Sequence, residues 1–303
     1  MSDSAHQSGD RAAQHGSEHA LQCMEIIGGN RAVRQTVDAP GLKIWIDSRP
    51  LGSGGGDVHY VSTCGAGYVT RLALADIAGH GESVDRLAIA LRKLMRKHIN
   101  TLDQTRFARS LNRELAALDQ SGRFATAVLA TYFAPTKHLI LCNAGHGRPL
   151  WYSAKHDQWR YLDLESAGDC PTLKLSNARY HLERLANLPL GIVDPINYQQ
   201  FAVELAHGDI VVLCTDAVTE CSDDAGELLG ETGLLALARQ LGSDDRSRIG
   251  ERLVDAIESR RNGRAAADDQ TLIVLEHSDT GPPRPSLART VRTLAKMIGL
   301  SRV

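Results

Sequence analysis

Four aspartates share a position that could support catalysis: each lies where an apolar, strand-like run meets a turn. They are Asp57 in GGGDVHYV, Asp76 in LALADIAG, Asp216 in IVVLCTDAVTE and Asp268 in AAADDQTLIVL. If these strands lie side by side, their ends could gather the four carboxylates in one place. Crowded anions repel one another and take up protons unless cations occupy the space between them.

Such a cluster would suit metal-assisted chemistry. Oxygen-rich sites favour hard divalent cations such as Mg²⁺ or Mn²⁺ over zinc. Two such ions about 3.5–4 Å apart can acidify a water and assist an in-line displacement at phosphorus. Aspartate is also common in turns and at helix starts, so each residue taken alone is more often a turn former than a ligand. Spacing alone leaves both interpretations open, because the four residues lie far apart in the chain.

The bulk composition is that of an ordinary globular protein. The 303 residues are 43% hydrophobic and 23% charged, enough for one large domain or two ordinary ones. The formal net charge of -2 gives no reason to expect nucleic acid or a membrane as the main partner. No apolar run approaches the roughly 18 residues of a spanning helix, and no apolar signal segment begins the chain. We therefore expect a cytoplasmic protein.

Hydrophobic periodicity predicts the elements that must position the aspartates. Strands are predicted over 42–47, 57–64, 71–76, 124–133, 138–144, 149–152, 201–205, 209–216 and 271–276. Helical stripes run over 84–94, 107–118, 231–241 and 249–257. The three strands over 124–152 read as a meander, and 201–205 with 209–216 as a hairpin. Segregated runs of strands and helices favour α+β layers over an alternating parallel-sheet fold.

Six short motifs follow one another along the chain. They are GGD, LADIAGHG, NAGH (143–146), LPLGI (188–192), GDIVVLCTDAVTE (208–220) and DDQTLIVLE (268–276). In this order they resemble the metal-dependent serine/threonine protein phosphatases of the PPM family, specifically its bacterial SpoIIE/RsbU-like branch. The resemblance covers about residues 50–277. Each motif alone is weakly specific, whereas six in the right order form a strong signal.

The resemblance implies an α+β fold of four layers, α/β/β/α, in which a central antiparallel β-sandwich is flanked by helices. It also implies two Mn²⁺ or Mg²⁺ ions at one end of the sandwich. Asp76 would bridge the ions and Ile77 would offer its backbone carbonyl. Asp216 and Asp268 would complete the shell of one ion, and Asp57 would hold the other, directly or through water. The implied reaction is direct hydrolysis of phosphoserine or phosphothreonine by a metal-activated water.

The chain departs from the family pattern at three places. Val58–Tyr60 follows GGD where the family usually has an aromatic residue and a second aspartate, so that outer acid is absent. Ala217 stands where the family has the glycine of TDG, and Gly147–Arg148 follows NAGH where prolines are common. No inner ligand is lost, but we expect the second ion to bind more loosely.

Two histidines, His80 and His146, are candidates for a general acid or a substrate contact, because a leaving alkoxide needs a proton. In some relatives outside this branch a histidine lies two residues after the bridging aspartate, where this chain has Ala78. We therefore expect each histidine to be more often a loop-forming residue than a proton donor. A metal-bound water could supply the proton instead. Three arginines are candidate phosphate contacts, although each is more often a solvated charge: Arg71, Arg123 and Arg148.

We expect three segments: a polar, partly disordered N-terminal tail over 1–40, a phosphatase domain over 41–278 and a basic amphipathic segment over 279–303. The last could pack on the domain, dock on a partner or contact an anionic membrane. The resemblance suggests a phosphorylated protein substrate, such as an anti-sigma antagonist in a partner-switching circuit, and a homodimer is considered. Two other function classes stay open: an inactive pseudo-phosphatase that binds phosphoproteins, and a scaffold whose aspartates only form turns.

Overall fold

The computed structural model describes residues 17–21, 25–64, 67–79, 81–118, 121–163, 173–174, 186–242, 245–278 and 280. Its described strands form two seven-stranded sheets. Sheet A contains, in spatial order, β1 (Ser17–Ala20), β3 (Val33–Ala39), β4 (Leu42–Arg49), β14 (Gln270–His277), β13 (Ile210–Cys214), β9 (Leu150–Ser153) and β10 (Gln158–Tyr161). Sheet B contains β11 (Leu173–Lys174), β12 (Gln200–Glu204), β8 (His138–Ala144), β7 (Ala125–Phe133), β6 (Val69–Ile77), β5 (Val58–Cys64) and β2 (Ile26–Gly29).

Every described strand pair is antiparallel except β1 with β3, which is parallel. The described helices are α1 (Glu82–Lys97), α2 (Gln104–Leu118), α3 (Asp216–Thr219), α4 (Gly230–Leu241) and α5 (Ile249–Arg261). In the described part of the chain, no helix is both long and apolar enough to cross a lipid bilayer.

The two sheets pack face to face through one apolar core. Leu72 and Leu74 of β6 face this core together with Ile44 of β4 and Ile273 of β14. The intervening residues of β6 face the other way, toward the helices, because side chains alternate along a strand. Strand β6 is therefore buried on both faces, which explains the continuous apolar run Leu72–Ala75 at its centre.

Helices cover the outer face of each sheet, so the layers are α/β/β/α. The predicted stripes of α1 and α2 are confirmed: Leu91 and Leu111 are among the residues packed against sheet B. Helices α4 and α5 cover sheet A through residues such as Leu234 and Leu253. The predicted α+β sandwich flanked by helices is confirmed.

The predicted domain boundary at residue 41 is wrong, because strands of both sheets precede it. Strand β2 pairs with β5 at the edge of sheet B, and β3 pairs with β4 in sheet A. Along β3, Val37 and Ala39 are buried while Arg34 and Asp38 are exposed. A strand with one solvent-exposed face needs few apolar residues, so the sequence of these segments is also typical of a polar tail. Residues 1–16 and nearly all of the predicted segment 279–303 lie outside the described residues.

Two predicted strand groupings are also wrong. Strands β7 and β8 form the expected hairpin, but β9 lies in sheet A between β13 and β10. Strand β12 pairs with β8 in sheet B, while β13 pairs with β14 and β9 in sheet A, so β12 and β13 form no hairpin. Alternation of apolar residues identifies a strand but not its sheet, and both linkers cross from one sheet to the other.

The inter-sheet core predicts a large loss of stability on truncation. Leu74 is fully buried between the sheets, so Leu74→Ala should lower the free energy of unfolding by about 2–5 kcal/mol in a urea titration. Leu228 is 60% exposed, and Leu228→Ala should change it by no more than about 0.5 kcal/mol. Equal effects of the two substitutions would contradict the assigned packing.

Candidate metal centre

The four predicted aspartates lie at the same end of the sandwich, two on each sheet. On sheet B, Asp57 immediately precedes β5 and Asp76 is the penultimate residue of β6. Val58 pairs with Ala75, so the two aspartates lie side by side across the β5–β6 ladder. On sheet A, Asp216 begins α3 just after β13, and Asp268 lies two residues before β14. Because β13 and β14 are antiparallel neighbours, these two aspartates come from adjoining strand ends.

Electrostatic coupling shows that the carboxylates from the two sheets converge. The pKa of Asp76 is raised to about 7. Burial is the main cause, and the negative charges of Asp216 and Asp268 contribute to the same shift. Two acids that the sequence analysis did not single out, Asp269 and Glu220, contribute to the same shift. The site is therefore an anionic cluster in which each carboxylate opposes ionisation of its neighbours.

The pKa values of two other carboxylates, Asp57 and Asp216, are raised as well. Burial first, and then the charge of Asp76, raise the pKa of Asp57 well above its ordinary value. Burial and the charge of Asp268 raise the pKa of Asp216. Asp57 is only 3% exposed, whereas Asp216 and Asp268 lie at the surface, so the cluster extends from the protein interior to solvent.

The surroundings of Asp57 test whether the site suits a cation. Its Oδ2 accepts a hydrogen bond of 3.0 Å from the hydroxyl of Thr215, while its buried Oδ1 has no hydrogen-bond partner. A Cβ on Gly56 would lie 2.9 Å from the carbonyl oxygen of Ile77 and 3.6 Å from Oδ1 of Asp76. These two oxygens therefore border the backbone next to Asp57. A buried, unpaired carboxylate oxygen beside further oxygen donors fits a hard divalent cation.

The carboxylates lie near one another, but their side chains are not arranged around a common metal position. Within the described residues, no group of three or more His, Cys, Asp or Glu side chains is arranged to hold a metal ion as the side chains stand. The oxygen donor set, the orphaned Oδ1 of Asp57 and the mutual repulsion nevertheless all fit Mg²⁺ or Mn²⁺, because a cation relieves the last two. The residues present therefore fit the ions that the sequence motifs imply.

Asp269 fastens the glycine-rich loop that leads to Asp57. Its Oδ1 accepts a 2.7 Å hydrogen bond from the amide of Leu51, and its Oδ2 accepts a 2.6 Å bond from the amide of Gly56. A Cβ on Gly55 would overlap the Asp269 carboxylate, so glycine is required there. The sequence offered a signal for this role in the second aspartate of DDQT, but only the first was singled out.

A cleft of about 750 Å³ lies beside the loop and the cluster. It is lined by residues 51–56 together with Gly79, Gly81, Glu82, Val84, Asp85 and 267–269. The cleft brings solvent-accessible space to Asp268, one of the predicted ligands. A substrate group larger than a water molecule could therefore approach the cluster from this side.

His146 is part of the loop that follows β8. Its Nδ1 lies 2.8 Å from the hydroxyl of Thr126, and Thr126 pairs with Asp76 across the β6–β7 ladder. Its backbone amide donates to the Asn143 side chain, which in turn donates to the His146 carbonyl. Burial lowers the pKa of His146 to about 4, so the protonated form needed by a general acid is scarce at neutral pH. His80 lies outside the described residues.

The three candidate arginines have different environments. Arg148 forms ion pairs with Glu231 at 2.5 Å and Asp163 at 2.9 Å, which tie the loop after β8 to α4. Arg71 is buried near the start of β6, five residues before Asp76. Arg123 donates to hydroxyls of Ser83 and Ser121.

Comparison with known proteins identifies the family. A model described as Stage II sporulation protein E (SpoIIE) matches residues 67–167 and 158–278, more than half of the chain. The chain belongs to the SpoIIE family. Membership confirms the resemblance drawn from the six motifs, and the matched residues include Asp76, Asp216 and Asp268.

Individual proteins that this chain resembles agree with this assignment. The phosphoserine phosphatase RsbU of Bacillus subtilis is 29% identical over 164 residues, which are 52% of this chain and 41% of RsbU. The chain thus spans less than half the length of this curated relative. The PP2C phosphatase domain of SpoIIE from Bacillus subtilis superposes with a TM-score of 0.61 at 16% identity, covering 84% of this chain and 71% of that structure. RsbX in complex with magnesium gives a TM-score of 0.55 at 16% identity, covering 81% of this chain and all of that structure.

The raised pKa of Asp76 predicts how this residue makes stability depend on pH without metal. The folded protein retains a proton on Asp76 up to pH about 7, whereas the unfolded chain releases it near pH 4. Because the folded state then binds more protons at Asp76 than the unfolded state, the contribution of Asp76 to stability falls as pH rises through this interval. Burial lowers the pKa of His59 and His146 to about 4, and these residues act in the opposite direction, so the contribution of Asp76 is measured against Asp76→Asn. In EDTA, the thermal unfolding midpoint of the unsubstituted protein should decrease relative to that of Asp76→Asn between pH 5 and pH 8.

Substitution of the aspartate tests this cause. Asp76→Asn should raise the midpoint at pH 8 in EDTA by more than at pH 5, whereas Asp255→Asn, at an exposed position on α5, should show no such difference. A midpoint difference between Asp76→Asn and the unsubstituted protein that stays constant over the same pH interval would contradict the raised pKa of Asp76.

Proposed function

We propose that this chain is a Mg²⁺- or Mn²⁺-dependent serine/threonine protein phosphatase that hydrolyses phosphoserine or phosphothreonine on a protein. One observation carries the proposal: acids from the ends of both sheets converge on one another, and the most buried of them keeps a carboxylate oxygen without a hydrogen bond. The likeness to the phosphoserine phosphatase RsbU supports the same reaction class.

In this proposal the aspartates bind two ions. Asp76 would serve both ions, the Ile77 carbonyl with Asp216 and Asp268 would supply further oxygen ligands, and Asp57 would hold the second ion through Oδ1 or through a water. When bound, the ions supply an acidified water and positive charge that favour in-line displacement at phosphorus. RsbX, a protein of the same fold, was solved with magnesium, which supports metal dependence.

The remaining residues position this chemistry. Asp269 fixes the glycine-rich loop and thereby the backbone on either side of Gly56, next to Asp57. His146, uncharged at neutral pH, supports the strand end beside Asp76 through Thr126 rather than donating a proton. The cleft at residues 51–56 accommodates the phosphorylated segment of the substrate protein.

The biological setting of the proposal follows from the relative. A cytoplasmic phosphoprotein of a bacterial partner-switching circuit, such as an anti-sigma antagonist, is the proposed substrate because RsbU is a relative over about half of this chain. A phosphoserine peptide and p-nitrophenyl phosphate are therefore the appropriate first substrates.

Metal removal and replacement test the activity directly. Hydrolysis of p-nitrophenyl phosphate should stop in EDTA and return with excess Mn²⁺. Asp76→Asn and Asp216→Asn should each lower turnover by roughly 100-fold or more, the scale of losing one charge-stabilising group at a reacting centre. Asp255→Asn should retain activity, since Asp255 is exposed on a distant helix.

Two outcomes would contradict the proposal in different ways. Turnover that persists after exhaustive chelation would rule out the metal mechanism. Tight Mn²⁺ binding without hydrolysis of any phosphopeptide would instead support the pseudo-phosphatase alternative.

A further inference from the structure

The carboxylate of Asp57 belongs to sheet B but is held by sheet A. Thr215, which follows β13, is fully buried, and its hydroxyl lies 3.0 Å from Oδ2 of Asp57. The same hydroxyl oxygen accepts a 3.0 Å hydrogen bond from the amide of Thr271 in β14. Because that oxygen already accepts from an amide, its own proton is directed to Asp57, and Thr215 is the donor.

A second hydroxyl acts on the same carboxylate. The Thr271 side chain, like that of Thr215, lowers the pKa of Asp57 and so opposes the rise that burial causes. The Thr271 hydroxyl also lies 3.0 Å from that of Ser48 in β4. Thr215 and Thr271 are themselves joined, since the Thr215 amide donates to the Thr271 carbonyl at 3.1 Å. Three strands of sheet A therefore hold this pair of hydroxyls in place.

The two carboxylate oxygens of Asp57 therefore differ in their hydrogen bonding. Oδ2 receives its hydrogen bond from Thr215, whereas Oδ1 is buried with no partner. A carboxylate with two free oxygens could rotate or take up a proton, and either change would remove a lone pair from a metal. A hydroxyl donor on one oxygen opposes both changes and leaves the other oxygen as the ligand.

We propose that Thr215, supported by Thr271, is a positioning residue that holds Asp57 by Oδ2 and so reserves Oδ1 for a divalent cation. The inference rests on the proposed function, because it assigns these hydroxyls a role toward the ion at Asp57. It goes beyond that function by making metal affinity depend on contacts between the two sheets. Supporting contacts of this kind typically contribute 10- to 100-fold in metal affinity.

The experiment measures Mn²⁺ binding to the full chain by calorimetry, with free Mn²⁺ checked by electron paramagnetic resonance. Thr215→Val removes the hydroxyl and keeps the shape, so it should weaken binding of the more weakly held ion about 10- to 100-fold. Thr215→Ser keeps the hydroxyl and should bind with an affinity close to that of the unsubstituted chain. Thr271→Val provides an independent loss of the second hydroxyl, with the same expected direction.

Thr70→Val is the matched control. Thr70 is also fully buried, and its hydroxyl has no hydrogen-bond partner, so the substitution should leave Mn²⁺ affinity unchanged. Thermal unfolding in EDTA establishes that each variant is folded. If Thr215→Val does not fold, Thr271→Val with Thr70→Val decides the question.

The possible results separate this inference from the function on which it rests. If the unsubstituted chain binds no Mn²⁺, the proposed function itself fails. If it binds Mn²⁺ and the valine variants bind equally well, only the positioning role is overturned. Equal losses in Thr215→Val and Thr215→Ser would likewise overturn it, because the loss would then follow any change of side chain at this position rather than removal of the hydroxyl.

Discussion

The dominant constraint on this molecule is the burial and mutual repulsion of the carboxylates that two sheets deliver to one end of a sandwich. Burial first, and then the charges of Asp216 and Asp268, raise the pKa of Asp76 to about 7. Burial of each sheet against the other and against its helices supplies the opposing stabilisation, since apolar area removed from water favours the folded state. The packed layers therefore hold an arrangement that a divalent cation would relieve.

Several local features make sense as responses to this constraint. Glycine at positions 54–56 lets the loop before Asp57 lie directly against acidic side chains, which a Cβ would prevent. Both carboxylate oxygens of Asp269 accept hydrogen bonds from backbone amides of that loop. Burial raises the pKa of Asp57, and the hydroxyls of Thr215 and Thr271 oppose part of that rise by favouring the ionised carboxylate. Together they fix the backbone and one oxygen of the most buried acid, leaving the other oxygen unpaired.

The sequence predicted the parts of the fold that depend on local periodicity. Helices α1 and α2 and the doubly buried strand β6 follow from residue spacing, and the aspartates at the ends of apolar runs converge as expected. The N-terminal edge strands β2 and β3, and the sheets to which β9 and β13 belong, depend on pairings between distant segments and were missed or misassigned. For the same reason Asp269 and Thr215 were overlooked, because their partners are far away in sequence.

Anomalous diffraction from crystals grown with Mn²⁺ tests the central claim most directly. The account predicts manganese density at the end of the sandwich, within bonding distance of Asp76 and of carboxylates from both sheets, with Oδ1 of Asp57 facing it. Density confined to other acidic residues, with these four carboxylates unoccupied at saturating Mn²⁺, would contradict it.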